Sequence, residues 1–360
     1  MIQNAVPQPI TIANNLEFDW FKRLAKIQSF SDIHIDRDLL RRAQSWHSKN
    51  KLADILNLHI PSIKAYSSEE IPSCGVNLWP AISITGDKCS LMCDHCQANV
   101  LKGMIPAKTA QELWQVSVKA VMSGARGLLL SGGSNLQNEV DFSPYLETIQ
   151  KLKKRFPQLI LSCHTGLVDA GQAKSLEQAG IDCAMIDVIG SQDTITQVYH
   201  LRRAVEDFET ALQALTQTTM FVIPHIVLGL HYGKLLGEWQ AIEMIRRQGP
   251  DAVVLVVAMP HFATQKRPYS TLSSNIIGQF FYHARQVLAD LPLLLGCARP
   301  AGTAKLEIDT YALCVGLDGI AYPAEGIVAM AKSIGKASEL HYSCCSVIPE
   351  MIAKTRARQQ

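Results

Sequence analysis

Thr85-Gly-Asp-Lys-Cys89-Ser-Leu-Met-Cys93-Asp-His95-Cys96-Gln-Ala-Asn-Val-Leu-Lys-Gly-Met104 is the stretch on which the reading of this chain turns. Its three cysteines stand at the spacing C-x3-C-x2-C. The run Ala81-Ile82-Ser83-Ile84-Thr85 reads as a buried strand bounded by Gly86 and Asp87. The cysteines therefore occupy a loop at the C-terminal end of a strand. Thiolates are the usual protein ligands of iron–sulfur clusters. Three of them hold three irons of a [4Fe–4S] cube and leave the fourth open to bind a small molecule and pass it an electron. The competing reading is a structural zinc site or buried thiols. Zinc sites usually take four ligands in paired C-x2-C units, and this triad has no obvious fourth.

Outward from this loop, strands and helices alternate. Thr109 to Glu112 reads as a capping box that opens a helix stopping near Gly124. Gly127–Leu130 is a short strand followed by Ser131-Gly132-Gly133-Ser134, and Ser143-Pro144 is read as an N-cap with Pro at the first helical position. Leu159–Cys163 is a strand leading into His164-Thr165-Gly166, and Asp169 caps a helix ending at Gly180. A strand Cys183–Ile189 ends in Asp187-Val188-Ile189-Gly190, and a proline-interrupted one spans Met220–Leu228. The apolar run Ala252–Ala258, Leu293–Cys297 and Ile320–Tyr322 complete the set, with helices between. About eight βα units follow from residue 81. Right-handed crossovers can wind such units into an open sheet or a barrel; eight units favour closure. The expected fold is α/β, a (β/α)8 TIM-like barrel over 80–335. An N-terminal arm (1–14) and helical extension fill 1–79, with helical patterns at 15–28 and 36–57. A cysteine-bearing tail occupies 336–360. In such a barrel catalytic groups lie on the loops after the strands, where the triad, Ser131-Gly132-Gly133, Cys163-His164, Asp187, His225 and Cys297 all fall.

Composition agrees with a globular enzyme: 48% hydrophobic, 18% charged, formal net charge +2. That balance implies no nucleic-acid partner. No leader and no apolar run of transmembrane length is visible, so a reducing cytoplasm is expected and no membrane. Ten cysteines in 360 residues are too few for a disulfide scaffold. Lys151, Lys153, Lys154 and Arg155 read as a solvated face, or as a docking patch for an acidic protein. His164, His225, His231 and His261 lie near strand ends, where each could be structural or face the site.

The cysteine triad resembles the signature of the radical S-adenosylmethionine (SAM) superfamily. The resemblance implies that SAM binds the open iron of a [4Fe–4S] cluster held by Cys89, Cys93 and Cys96. Reductive cleavage of SAM then yields a 5′-deoxyadenosyl radical. An electron donor such as ferredoxin or flavodoxin is implied. So is packing of His95, where the family usually has an aromatic, on the adenine. Ser131-Gly132-Gly133 resembles the family's Gly-Gly-Glu element, whose backbone holds the methionine amino group, though Ser134 stands where the acidic residue would be. Asp187 falls where members place a polar residue on the SAM ribose; alternatively it is a helix cap or a loop carboxylate.

Leu161–Leu167 is similar to the third-strand segment of biotin synthase, where a cysteine binds an auxiliary cluster. Because Val222 stands where that enzyme has a further cysteine, that cluster does not transfer whole, and Cys163 is a pocket thiol or core. The phrases His164–Val168, Pro224–Leu230 and Gly296–Gly302 look most like the subunits of two-component lipoyl synthases. That likeness implies hydrogen abstraction from an octanoyl chain and sulfur insertion from a second, sacrificial cluster. An octanoylated carrier protein or peptide and a second radical SAM subunit would be the partners. Cys74, Cys297, Cys344 and Cys345 are the candidate ligands of that cluster. An adjacent cysteine pair in a polar tail is an unexpected core element, although free tail thiols are the simpler alternative. Two other readings stay open: a biotin-synthase-like maturase or methylase without sulfur donation, and a non-catalytic iron–sulfur carrier or scaffold.

Overall fold

The computed structural model describes residues 22–50, 54–73 and 77–357. The arm at 1–14 and Cys74 lie outside the described residues. The strands, in chain order, are β1 (Ile55–His59), β2 (Ala81–Ser83), β3 (Ile105–Pro106), β4 (Gly127–Ser131), β5 (Ile160–His164), β6 (Cys183–Met185), β7 (Phe221–Val222), β8 (His225–Leu228), β9 (Val253–Val257), β10 (Leu293–Leu295), β11 (Gly319–Ala321) and β12 (Ala337–His341). All ladder pairs among them are parallel. The order runs β3-β2-β4-β5-β6-β7 and continues β8-β9-β10-β11-β1-β12. Pro224 lacks an N–H, so the ladder breaks between β7 and β8. The bridge between Asp187 and His225 carries the sheet across that break.

The chain therefore is an α/β structure of eight barrel strands, β2 and β4 through β11 with β7 and β8 as two halves of one, and the two-residue β3 pairs at the edge beside β2. Beyond β11 it takes further strands from each flanking segment. The helical pattern read through residue 57 is corrected here. The helix α1 (Arg37–Lys49) ends, and Ile55–His59 becomes a strand in register with both β11 and β12. Its alternation Leu56, Leu58 suits a strand as well as a helix, and short apolar runs cannot be arbitrated by period alone. Likewise Ile320–Tyr322 is not the last strand, because β12 follows it.

Helices cover the outer face. They are α2 (Ala110–Met122), α3 (Leu146–Arg155), α4 (Ala170–Ala179), α5 (Val205–Thr216), α6 (Glu238–Gln248), α7 (Ser274–Val287), α8 (Thr303–Val315), α9 (Ile327–Ser333) and α10 (Pro349–Ala357). Thr109 Oγ1 caps α2 by accepting from Glu112 N, and Asp169 and Gln172 form a full capping box on α4. Gly180 ends α4 at φ 94°, a conformation only glycine adopts freely. Ser143 does not cap α3; a 3-10 turn at Ser143–Tyr145 precedes it, and Asp141 accepts from Ser143 N. Lys153 leaves the solvated face and reaches Asp182 at 2.5 Å, both largely buried. Among the described residues no helix is long and apolar enough to cross a membrane.

Strand alternation and register decide which side chains face the barrel interior. Ser131, His164, Asp187, Val227 and Val256 line the central cavity. Two-residue steps and lateral pairing then place Ser162, Cys183, His225, Leu294, Gly319 and His59 on the same inner face. Several of these are small, and the C-terminal tail fills the room they leave. Cys183 Sγ lies 3.8 Å from Ser346 O, and His59 Nδ1 lies 3.4 Å from Ser343 Oγ. The stretch Ser343–Ile348 is buried throughout.

Two histidines link the fold to pH, His225 buried in the barrel and His47 partly buried on α1. Burial holds His47 and His225 at about 4, below the ordinary 6.5. A depressed folded-state value means the unfolded chain binds more protons between pH 6.5 and 4. The stabilisation from keeping them neutral is complete above pH 6.5 and lost as pH falls toward 4. Denaturant titrations across that range should show stability falling by a few kcal/mol, roughly, per histidine at the acid limit. A His47→Gln variant should flatten the slope by about one proton. An unchanged slope would show that His47 is not held neutral.

Candidate active site

The cysteine loop sits directly after β2, and a zipper of short bonds fixes it to the turn after β4. Thr85 Oγ1 accepts from Gly133 N at 2.7 Å and donates to Lys88 O at 2.9 Å. Ser90 N donates to Ser134 O at 2.9 Å, and Cys89 Sγ lies 3.8 Å from the same carbonyl. Gly133 is pressed against the loop so closely that a Cβ there would lie 2.0 Å from Lys88 O and 2.5 Å from Cys89 Cα. Gly132 is less crowded, with its nearest neighbour, Ile84 Cγ1, at 3.0 Å.

These elements open onto one cavity of about 280 Å³. The structure places Cys89, Cys93, Cys96, His95, Ser131, Gly132, Gly133 and Asp187 around it. Its remaining wall is largely apolar, with Leu101, Val227, Val256, Ala258 and Phe262. Burial pushes the Cys93 thiol up, and the neighbouring Cys96 and Cys89 push it further. For Cys96 burial acts upward too, but the contact and hydrogen bond with His95 outweigh it and hold that thiol below its ordinary value. Burial presses the His95 imidazole down, and Cys96 outweighs it in turn. One face of the His95 ring meets Tyr199, with centroids 5.0 Å apart, and its buried Nδ1 has no hydrogen-bond partner. Among the described residues no three His, Cys, Asp or Glu side chains converge to hold a single metal ion. A cube spreads its ligands over separate irons, so thiols that hold one need not converge on a point. The donor set, its shared cavity and the orphaned His95 nitrogen fit a [4Fe–4S] cluster with a small molecule beside it.

Asp187 faces the cavity with Oδ1 3.7 Å from His164 Nε2. The alternative of a helix cap does not hold, since the hydroxyl of Ser191 caps the short helix Gln192–Gln197. His225 is buried behind His164, their ring centroids 5.4 Å apart. His231 is bonded to Thr194 at 3.2 Å instead of facing the cavity, and His261 lies against Phe262. Cys163, laterally paired with Ala184, is fully buried on the sheet's outer face, so it is core and not a pocket thiol.

The second set of candidate thiols is partly gathered. Cys297 Sγ and Cys345 Sγ are 3.8 Å apart, and Cys344 Sγ is 3.8 Å from Ser346 Oγ. The expectation that Cys344 and Cys345 sit in a polar tail with little to bury them is corrected. Both are 4% exposed, in a core with Val347, Ile348 and Met351. The tail is apolar in its contacts because the barrel interior receives it, which its own composition does not disclose. Ala298, next to Cys297, lines the main cavity.

Sequence reasoning missed one arrangement. The buried Asp94, inside the motif, accepts from His200 Nε2 at 2.9 Å and from Tyr232 OH at 2.8 Å. Arg267 donates to the same tyrosine oxygen at 2.8 Å. Asp94 N donates to Val198 O, and Asp94 O accepts from Thr264 N. The loops after β6, β8 and β9 thus clamp the cysteine loop. His200 and Tyr232 both take positive φ, 58° and 52°, a cost that persists only where surrounding contacts over-determine it. Asp94 inside a cysteine motif was the one available signal; its partners carry none.

No protein-family model matches the chain. It is 26% identical over 184 residues to the mitochondrial lipoyl synthases of Aspergillus flavus and Aspergillus oryzae. The match covers 48% of this chain and 42% of each relative, so it spans less than half of their length. Among solved structures, methylornithine synthase superposes with a TM-score of 0.54 at 12% identity, over 90% of this chain and 94% of that one. The [FeFe]-hydrogenase maturase HydG superposes with a TM-score of 0.59 at 11% identity, over 96% and 78%. These structures share the fold.

The crowding at the two glycines predicts different outcomes. Gly133→Ala should displace the cysteine loop and abolish cluster assembly, read as iron and sulfide per chain after anaerobic reconstitution. Gly132→Ala, which asks only a few tenths of an ångström of its neighbours, should retain most of it. Equal iron content in the two variants would contradict the assignment of Gly133 as the loop's support.

Proposed function

We infer that this member of the radical SAM superfamily is an enzyme that cleaves SAM reductively and abstracts hydrogen from an unactivated C–H bond of its substrate. We propose further that it inserts sulfur there, in the manner of a lipoyl synthase acting on an octanoyl chain. The observation that carries the coarser reading is the single cavity shared by the cysteine triad and the turn after β4. A [4Fe–4S] cluster with SAM on its open iron would supply the radical chemistry. Cys89, Cys93 and Cys96 would hold that cluster. Gly133 lets the cysteine loop close against the turn after β4 with no side chain between, and the backbone of Gly132 and Gly133 lines the cavity beside the thiols. His95, backed by Tyr199, offers its other face to a planar group such as adenine. Asp187, two residues past the end of β6, offers the cavity a carboxylate to which a ribose hydroxyl can donate. The apolar wall excludes water and positions the reacting carbon, which is the protein's share of such chemistry.

Support for sulfur insertion comes from the partial likeness to lipoyl synthases and from the second thiol group. Cys297, Cys344 and Cys345 would hold part of a second cluster. Cys297 stands beside the main cavity, where a sulfur source must reach the substrate. Cys74 is the remaining candidate. The substrate, an octanoylated carrier protein or peptide, a second radical SAM subunit and an electron donor belong to the same proposal. So does the division of labour between the barrel at 80–335 and its flanking segments.

The test is SAM cleavage to 5′-deoxyadenosine by the anaerobically reconstituted chain under strong reductant. Replacing Cys89, Cys93 and Cys96 by Ala should remove it entirely. Cleavage that survives would sink the assignment, and none in the wild type would favour an iron–sulfur carrier. Iron should approach about eight per chain if two four-iron clusters bind and about four if one does. Cys297→Ser, at a partly exposed thiol, should lower the count by about one cluster while 5′-deoxyadenosine is still formed. A count unchanged by Cys297→Ser would dismiss the second cluster and with it sulfur insertion from this chain.

A further inference from the structure

Tyr199 is the middle one of three residues that grip the cysteine loop. Asp94 N donates to Val198 O at 2.8 Å, and His200 Nε2 donates to Asp94 Oδ1 at 2.9 Å. Val198 N at 3.0 Å and Tyr199 N at 3.2 Å both donate to Thr194 O, which fastens the segment to the short helix before it. Residues 94 and 95 are consecutive, as are 198 to 200. The grip on Asp94 therefore sets the Tyr199 ring against that of His95, with 5.0 Å between centroids and planes at 35°.

The place of the ring is thus accounted for, and that of its hydroxyl is not. Tyr199 is 4% exposed and lines the main cavity together with Cys93 and Cys96. Its oxygen is buried and has no hydrogen-bond partner among the described residues. The buried tyrosines elsewhere behave otherwise: Tyr145 donates to Ile84 O, Tyr311 to Asn275 Oδ1 and Tyr322 to Pro61 O. A buried hydroxyl left unpaired costs about 1–3 kcal/mol, and a phenylalanine would fill the same space without that cost. Such a group calls for an acceptor that comes to the site from outside the chain. Burial first, and then the charges of Asp187, Cys93 and Cys96, push the phenol well above its ordinary value, so it stays a donor. Asp187 accepts no bond from it and is turned toward His164, 3.7 Å away. Sulfur is the acceptor that remains.

We propose that Tyr199 is a further residue of the cluster site, whose phenol donates a hydrogen bond to cluster sulfur on the side of Cys93 and Cys96. The inference rests on the preceding reading for the cluster, but not for SAM cleavage or sulfur insertion. Its consequence is a reduction potential. Hydrogen bonds to the sulfurs of a cluster help set that potential. The reduced state carries one more negative charge and holds the donor more tightly, so the phenol raises the potential and eases reduction. His95 and Tyr199 then divide the wall between them. One offers a ring face to a small molecule, and the other offers a hydroxyl to the cluster.

The test is an EPR-monitored redox titration of the anaerobically reconstituted full chain and its Tyr199→Phe variant, each with and without SAM. The two should hold equal iron. Without SAM, the variant's potential should fall by about one tenfold change in the one-electron equilibrium, roughly 59 mV, at the cluster whose signal SAM perturbs. In electron–nuclear double resonance, the wild type's reduced cluster should show one proton coupling, exchangeable in D2O, that the variant lacks. An unchanged potential overturns the proposal. So does a shift seen only with SAM, which assigns the hydroxyl to SAM instead. Iron below the wild type's makes the hydroxyl a structural bond and overturns it too. The cofactor-free chain supplies a second readout. There Tyr199→Phe should hold or raise the unfolding temperature, since it removes an orphaned group; a lower temperature shows a bond within the fold and overturns the proposal. SAM cleavage in the same preparations keeps the two ideas apart. Cleavage with equal potentials ends the proposal and leaves the enzyme reading intact, and a lowered potential without cleavage in the wild type does the reverse.

Discussion

The cysteine loop can take its shape only because hydrogen, and no side chain, stands on Gly133. Lys88 O and Cys89 Cα occupy the volume a Cβ would need. That approach turns two separate βα loops into one wall, with Thr85 bonded to both sides of the joint. Thiols on a free loop would have to be ordered by their cluster, at a cost of roughly 1–2 kcal/mol per backbone residue fixed. Here the ordering is done by the fold, and the Asp94 clamp extends it across the barrel mouth to the loops after β6, β8 and β9. Since Asp94 sits between Cys93 and His95, whatever strains those distant loops is felt within one residue of two site positions.

Much of this was legible in the sequence, for identifiable reasons. Strands buried on both faces read as continuous apolar runs, so β4, β5 and β9 stand out, and caps such as Thr109 and Asp169 announce the helices between them. The α/β fold of parallel strands follows from that alternation. What stayed hidden depends on partners distant in the chain. Ile55–His59 has the composition of either element, and only its place between β11 and β12 makes it a strand. Asp94 is an unremarkable acid until His200 and Tyr232, more than a hundred residues away, turn toward it.

The tail teaches the same lesson about burial. Ser343-Cys344-Cys345-Ser346 has nothing in its own composition that calls for a core, and polar residues flank the thiols. Burial is conferred by the receiving surface. The inner face offers Ser162, Cys183 and Gly319 beside Leu294, and a barrel lined in part with residues that small leaves space its own strands do not fill. Interiors close-pack, so something must enter, and the chain end that runs on from β12 is what does. Hydrogen-bonding groups inside accept it: Ser343 meets His59, and Ser346 O meets Cys183.

That arrangement constrains how the two thiol groups can work together. Cys345 reaches Cys297 only because the tail is threaded into the barrel, and β12 in turn pairs with β1. The second group is therefore built from three remote stretches of chain, the end of β10, the tail and the strand that anchors it. The first group is local, all within eight residues of Cys89. A site made of local ligands can assemble as soon as its loop is supported. One made of remote ligands exists only after the whole sheet is paired, because loop closure over such separations must be completed first. Metal sites built this way couple their occupancy to global folding. Loss of tail docking would thus part the second thiol group without touching the first. The fold keeps the two thiol groups separable, as the proposed sulfur insertion would require of one centre that is consumed and another that is reused.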